Sequence, residues 1–508
     1  MLRRLAAVLI ALAFAAGMSG PALAADTPPV FFSAAFDAYV AQAMKDWQVP
    51  GVSISIVKDG RTYTKGYGVR AVGNPAPVDG KTLFAIGSSS KAFTAAALGM
   101  LVDEKKIAWD DKVTARLPGF ETFDPYVTRE ITIRDMLSHR TGLSRGDALW
   151  YGSDLSRDEI VRRIRYMKPT WSFRSTFEYN NLMILAAGQI IPAVTGQTWD
   201  AFLQQRLFTP LEMTSSSTSI SALRGQADVA QPHESIDGTV RTVPYRRIDN
   251  IAPAGSINSN AADMAHWMEL MLSGGTYGGK RLLQESTVAQ MLTPQTIMPL
   301  GFPWTLYAPA SHFLDYGLTW ILFDYRGYKA VQHAGNIDGM SALVSLLPEQ
   351  HLGVTILTNK GGDFLGNAVM YRVFDDVLGG AHTDEGAVIL KAYHAAIDPA
   401  LAAQKALDAK RVTGTHPSLA LDRYAGTYHN DLYGDAAVTR DGEGLRYHLL
   451  GTSGKLEHWN YDTFRVIGDE PAGAKPLITF ALAPTGAVAS LSVGGEPTML
   501  FTRVAEKH

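Results

Sequence analysis

The chain has 508 residues, 46% of them hydrophobic and 19% charged, with a formal net charge of −3. That length allows more than one domain at ~150 residues each, and the apolar content excludes a globally disordered chain. The near-neutral charge leaves no electrostatic footprint for nucleic acid, and the lack of cysteine excludes disulfides, thiolate metal sites, a cysteine nucleophile and a lipid-modified cysteine.

The first 24 residues read as a secretory signal peptide. Arg3 and Arg4 give a positive start, residues 6–16 a short apolar run, and Ala22-Leu23-Ala24 a small-residue cleavage site. The expectation is an exported protein, periplasmic or secreted. Ordinary export is favoured over the twin-arginine route, because the residues around Arg3-Arg4 lend that route no support. No later stretch is long and apolar enough to span a bilayer, so the mature form is expected to have no membrane span.

Residues 33–47 predict an amphipathic helix capped by Ser33, with Phe36, Val40, Ala43, Met44 and Trp47 on one face. Residues 51–57 and 62–67 around Asp59-Gly60 predict a β-hairpin. Residues 88–272 are mostly helical in pattern. Strands return at 317–323, 328–332, 341–347 and 353–358, too close together for βαβ crossovers. The fold class expected is therefore α+β, one antiparallel sheet built from both ends of this region around a helical subdomain. Residues 383–417 read as a helical linker. Eight short strand patterns follow between 424 and 504, predicting a small C-terminal all-β barrel or sandwich over 418–508.

The strongest chemical signal is Gly87-Ser88-Ser89-Ser90-Lys91. A serine hydroxyl needs a base, and on a helix Lys91 shares a face with Ser88. The buried-looking helix after it would hold that first turn rigidly. A capping serine followed by a snorkelling lysine is the structural alternative. Ser55 and Lys58 repeat the spacing, but on a strand they point to opposite faces. Tyr179-Asn180-Asn181 precedes an apolar helix. A tyrosine beside an ammonium can lose its proton below its usual pKa of ~10 and act as a base. His333-Ala334-Gly335 is expected to end the strand 328–332, with Gly335 admitting a substrate backbone. Rival copies stand at Tyr428-His429-Asn430 and His351-Leu352-Gly353, in a strand-and-turn pattern and a polar turn. No Gly-x-Ser-x-Gly elbow, P-loop or His-Glu-x-x-His run is present.

These blocks, in this order, resemble the serine β-lactamase and penicillin-binding-protein superfamily, on the branch of class C β-lactamases, D-stereospecific peptidases and esterases (peptidase family S12). The resemblance spans residues 30–382 and rests on Val49-Pro50-Gly51-Val52, the Ser88 block, the segment from Ile133 through Ser138-His139-Arg140-Thr141-Gly142 to Leu143, Tyr179-Asn180-Asn181, Pro210-Leu211-Glu212-Met213, Pro253-Ala254-Gly255-Ser256 and His333-Ala334-Gly335. The tail resembles a lipocalin-like domain, on Tyr424-Ala425-Gly426-Thr427-Tyr428, Tyr433-Gly434 and residues 458–464. Its aromatics suit either a core or a lid.

The resemblance implies a serine hydrolase that works through an acyl-enzyme, with Ser88, Lys91 and Tyr179 catalytic. It implies that Asn181 holds a substrate amide, that His333 polarises the site and orients Tyr179, and that the N–H groups of Ser88 and Asn336 form an oxyanion hole. Gly335 belongs to the same substrate-binding element. No metal or organic cofactor is implied, and the partner is a small-molecule or short-peptide substrate rather than nucleic acid. His333 stands where β-lactamases usually carry lysine, and the family's Pro-Gly before Tyr-x-Asn is replaced by residues 172–177. This favours a D-amino-acid-type peptidase or esterase. The alternatives are a β-lactamase and a slowly deacylating binder of penicillin or cell-wall peptides.

Overall fold

The computed structural model describes residues 31–380, 383–469, 475–495 and 497–505. The leader expected over residues 1–24 lies outside them. Helix α1 (Ala34–Trp47) forms as its pattern requires. Ser33 caps it by accepting from Phe36 N at 3.3 Å, and Phe36, Val40, Ala43 and Trp47 are buried.

After α1 come strands β1 (Gly51–Lys58), β2 (Arg61–Ala71) and β3 (Asn74–Pro77), with Asp59-Gly60 making the turn between β1 and β2. Helices α2 (Ser90–Asp103), α3 (Asn181–Thr195) and α4 (Ala261–Leu272) belong to the middle region. The chain then returns to the sheet through β4 (Thr296–Ile297), β5 (Leu314–Tyr316), β6 (Ile321–Tyr325), β7 (Tyr328–Ile337), β8 (Met340–Leu347) and β9 (Leu352–Thr358). Among the described residues these nine strands form one antiparallel sheet, ordered β4-β5-β6-β7-β8-β9-β1-β2-β3. The two ends of the region meet where β9 pairs with β1, Ile54 opposite Ile356.

Several strand boundaries differ from the sequence reading, and the strand expected over 62–67 runs on to Ala71. The strand expected over 317–323 starts only at Ile321, because Gly317 and Leu318 begin a turn whose Thr319 has φ 69°. The strand expected to stop at Gln332 continues to Ile337, so His333-Ala334-Gly335 lies inside β7 rather than after it. The ladder pairing His333 with Val344 and Gly335 with Ala342 carries it on.

The polar-apolar alternation of β1 has a meaning that sequence alone did not supply. Ser53 and Ser55 are as buried as Val52, Ile54 and Ile56. The sheet is covered on both faces. Val52, Ile54 and Ile56 join α1 and α5 (Leu365–Leu378) in one core, while Val57, Ala342 and Val344 join α2, α3 and α4 in the other. Each large aliphatic side chain so buried contributes roughly 1.5–3 kcal/mol of transfer free energy.

Helix α6 (Glu385–Ala409) leads to the tail. Strands β10 (Gly426–Asn430), β11 (Gly434–Asp441), β12 (Gly444–Leu449), β13 (Thr452–Asn460), β14 (Thr463–Gly468), β15 (Leu477–Leu482), β16 (Val488–Val493) and β17 (Leu500–Arg503) follow. They close into a barrel in which β10 pairs with both β11 and β17. Tyr424, Tyr428 and Phe464 fill it around Phe480. Core packing, not a lid, is thus the use of these aromatics. Trp459 lies between the guanidinium groups of Arg411 and Arg465, and Tyr461 is exposed.

The barrel meets the sheet-and-helix domain at two points. Arg163 Nη1 donates to Leu432 O at 3.2 Å, and Gly451, between β12 and β13, presses on Gly152. A Cβ on Gly451 would stand 2.0 Å from Gly152 O, whereas one on Gly444 would meet only Asp441 O at 3.6 Å. Gly451→Ala should therefore lower stability by ~1–3 kcal/mol in thermal unfolding, while Gly444→Ala stays within ~0.5 kcal/mol. Equal melting temperatures for the two variants would contradict this contact.

Candidate active site

Three successive serines divide the work at the start of α2. Ser90 Oγ donates to Gly87 O at 2.7 Å and accepts from Ile257 N at 3.1 Å. Ser89 Oγ donates to His333 O on β7 at 3.1 Å. These bonds pin a 3₁₀ turn, Gly87–Ser89, between the sheet and the segment Ala252–Gly255. Ser88 therefore sits in this turn, two residues before the α-helix, and its hydroxyl is left for Lys91. The distance from Lys91 Nζ to Ser88 Oγ is 2.8 Å.

The turn can lie this close to β7 only because two residues lack side chains. A Cβ on Gly335 would stand 1.9 Å from Ile86 O and 2.9 Å from Ser88 N, and one on Gly87, at φ +50°, would stand 2.8 Å from Asn336 N. The sequence reading assigned the space over Gly335 to a substrate backbone. The protein's own Ile86 carbonyl occupies it, and Gly335 does not line the cavity. The N–H groups of Ser88 and Asn336 border this contact, where two donors can converge on an oxyanion.

Lys91 is fully buried. Besides Ser88 it reaches Ala254 O at 2.7 Å, and one turn on, Thr94 Oγ1 donates to Pro253 O at 2.7 Å. Burial, with the charge of Arg145 second, pushes the Lys91 ammonium well below its ordinary value. In its free-amine form it can donate to Ala254 O and accept from the Ser88 hydroxyl at the same two distances.

Tyr179 packs between cations and rings. Lys91 Nζ is 4.9 Å and Arg145 Cζ 5.1 Å from its ring centre, and its hydroxyl is hydrogen-bonded with Ser88. The sequence argument expected a neighbouring ammonium to lower the phenol's pKa. Burial dominates instead and raises it, against the opposing effect of the Ser88 hydrogen bond. Burial thus favours the free amine at Lys91 and the un-ionised phenol at Tyr179.

Asn180, the residue between the two motif positions, caps α3. Its Oδ1 accepts from Met183 N at 3.0 Å, and its backbone N–H donates to His139 Nδ1 at 3.1 Å. Asn181, expected to hold a substrate amide, is buried and spends its Nδ2 on Asp147 Oδ1 at 2.9 Å. It does not line the cavity.

His333 is buried beside the site. Its Nδ1 is 2.6 Å from Ala334 O, a group that can only accept, so Nδ1 carries the proton and Nε2 accepts from Tyr316 OH at 2.9 Å. Burial and the nearby Lys91 press its pKa down to about 3, which keeps the imidazole neutral. Its ring centre is 6.4 Å from that of Tyr179. The rival His351 caps a turn at φ 45° and borders a separate cavity with Asp59, Glu269 and Tyr277. The other rival, Tyr428-His429-Asn430, lies in the barrel strand β10.

Ser88, Tyr179, His333 and Asn336 meet around one cavity of about 160 Å³, walled further by Arg145, Trp304 and Tyr307. Sequence reasoning did not single out these last three. Arg145 lies in a loop without secondary-structure signal, and Trp304 and Tyr307 in a stretch without periodicity. Behind the cavity wall, the His139 ring stands 4.4 Å from that of Tyr179 and 4.9 Å from that of Tyr316. His139 sat inside a quoted block but carried no signal of its role.

A family model described as Beta-lactamase matches residues 36–374. The chain belongs to the Beta-lactamase family. A second model, a domain of unknown function (DUF3471), matches residues 410–506, the barrel and its approach. The chain is 28% identical over 503 residues to unguisins hydrolase ungD of Aspergillus violaceofuscus, covering 91% of this chain and 88% of that one. Its fold resembles the penicillin-binding protein homologue of Pyrococcus abyssi (TM-score 0.61, 21% identity, 92% of this chain and 99% of that one). It also resembles SurE in its structure with D-Leu (TM-score 0.54, 20% identity, 92% and 99%).

The geometry separates the two histidines experimentally. His333→Ala removes a cavity wall and frees Tyr316, so turnover should fall by ~10-fold or more, while His351→Ala leaves it unchanged. The reverse pattern in steady-state rates would contradict the assignment.

Proposed function

We propose that the protein is an exported serine hydrolase that cleaves small amide or ester bonds through an acyl-enzyme, acting as a D-amino-acid-type peptidase or esterase. The observation that carries this reading is the Ser88–Lys91 contact of 2.8 Å, with the amine buried and the Tyr179 phenol on the same hydroxyl. The relative named as an unguisins hydrolase matches nearly the whole chain, barrel included, and the SurE fold has been captured with D-Leu. The first supports a hydrolase, and the D-Leu of the second supports a substrate with D-residues.

In this mechanism neutral Lys91 takes the Ser88 proton as Oγ attacks the carbonyl. The N–H groups of Ser88 and Asn336 take the oxyanion. Tyr179 passes a proton from Lys91 to the leaving amine or alcohol, and water then releases the acid. Neutral His333 stands where β-lactamases usually carry lysine, and the loss of a cation at that position favours peptidase or esterase over β-lactamase chemistry. The sequence evidence for export is the leader at residues 1–24, and among the described residues no helix is long and apolar enough to cross a membrane.

Fluorophosphonate labelling followed by peptide mass spectrometry tests the nucleophile. The adduct should fall on Ser88 and vanish in Ser88→Ala. Lys91→Ala and Tyr179→Phe should each lower kcat by roughly 10²-fold or more, with the double variant far from multiplicative. Undiminished labelling of Ser88→Ala would overturn the reading. Rates on D- and L-aminoacyl p-nitroanilides, a p-nitrophenyl ester and nitrocefin then rank the substrates. D over L, with nitrocefin slowest, is expected, and nitrocefin fastest would instead establish the β-lactamase alternative.

The pH dependence has a definite sign. The active Lys91 is the free amine, so kcat/KM should rise with pH through its depressed pKa and already be on its plateau well below pH 10.5. Arg145→Gln removes a positive charge that lowers this pKa, so the rising limb should move to higher pH. A limb that stays in place, or moves down, would contradict the electrostatic coupling.

A further inference from the structure

Acyl transfer as proposed leaves one wall of the cavity unused. Arg145 lines that wall beside Ser88, Tyr179 and Trp304. Its Nε donates to Asp147 Oδ2 at 2.6 Å. Asp147 is held from behind, because its Oδ1 accepts from Asn181 Nδ2 at 2.9 Å and Trp150 Nε1 at 2.7 Å. The carboxylate itself does not line the cavity. Among the described residues, Arg145 Nη1 and Nη2 make no hydrogen bond. The guanidinium is thus held through Nε, with its Cζ 5.1 Å from the Tyr179 ring centre and its terminal nitrogens uncommitted.

The rest of the wall is neutral. His333 is an uncharged imidazole, and the remaining walls are hydroxyl, amide, aromatic and aliphatic groups, the last from Ile321 and Ala334. Among the described residues no carboxylate lines the cavity. A guanidinium whose two Nη groups are free, in a pocket whose apolar walls shed water, can take a carboxylate in two parallel hydrogen bonds.

We infer that Arg145 is a specificity-determining residue that binds a carboxylate of the substrate near the bond attacked by Ser88, so that the enzyme selects peptides with a free C-terminal carboxylate over their amides. The inference deepens the proposed hydrolase function and rests on it for the identity of the attacked bond. The competing reading is that Arg145 serves only to hold Asp147 and the loop that carries both.

The test measures binding without turnover. N-acetyl-D-Ala-D-Ala and its C-terminal amide are titrated calorimetrically into the full-length Ser88→Ala protein and into the same protein carrying Arg145→Gln or Arg145→Lys. The free acid should bind roughly 10-fold or more tighter than the amide in Ser88→Ala. Arg145→Gln should bring the two within about twofold of each other by weakening the acid alone, and Arg145→Lys should restore part of the difference. A purely structural role would weaken both ligands alike. Equal affinities in Ser88→Ala, no binding of either ligand at millimolar concentration, or a preference that survives Arg145→Gln would each overturn the inference. Because Ser88 is absent from this readout, its result is independent of the labelling experiment. Failure to label Ser88 sinks the acyl-enzyme reading, and loss of the acid-amide difference sinks only the role of Arg145.

Discussion

Everything at the site depends on one close approach of two backbones. The Gly87–Ser89 turn lies against β7 at a distance that neither Gly87 nor Gly335 would permit with a side chain. Replacing either glycine would drive a methyl group into backbone, which cannot yield as a flexible side chain can. That contact brings Ser88 N within 2.9 Å of where a Gly335 Cβ would stand and Asn336 N within 2.8 Å of where a Gly87 Cβ would stand. The flanking bonds of Ser89 and Ser90 then leave Ser88 as the one serine of the three turned to Lys91. Which serine faces Lys91 is set by what its neighbours are tied to as much as by its own chemistry.

Burial then sets the protonation states. A lysine taken out of water favours its neutral form, a tyrosine its neutral form, and a histidine likewise. Lys91, Tyr179 and His333 all follow this rule. The proximity argument drawn from the sequence treated Tyr179 as a group sensing a nearby ammonium, and so reached the wrong sign for its shift. The two effects compete, and with His139 and Trp304 packed about the Tyr179 ring desolvation is the larger.

Local pattern made the architecture legible. The period of α1, the Asp59-Gly60 turn, the order of the late strands and the eight short tail strands all correspond to elements of the fold. What pattern could not show was tertiary. The alternation in β1 separates two cores rather than core from solvent, and Ser55 is buried despite its polarity. The extension of β7 through Gly335 depends on β8 lying opposite, a contact invisible in a single strand. At the site, Ser88, Lys91 and Tyr179 were legible because spacing and order marked them. Arg145, Trp304 and Tyr307 were not, since each reaches the cavity from an irregular segment whose course is fixed by distant partners. Asn181 shows the converse: its position matched a motif, but a carboxylate 34 residues earlier claimed its amide.

The loop from Arg145 to Gly152 gathers those distant partners. Helix α3 holds it through Asn181 and Asp147. The turn after β7 holds it through Asp338, whose carboxylate accepts from Tyr151 OH at 2.6 Å and from Arg246 Nε at 2.9 Å. The barrel holds it where Gly451 meets Gly152. A segment with no helix or strand of useful length would be free to sample many conformations, at ~1–2 kcal/mol of entropy per residue ordered. Three anchors from three parts of the chain offset that cost at successive points along the loop. The wall that carries Arg145 is therefore a joint product of the helical subdomain, the sheet and the appended barrel. On this physical ground the barrel belongs to the frame of the active site, even though none of its side chains lines the cavity beside Ser88.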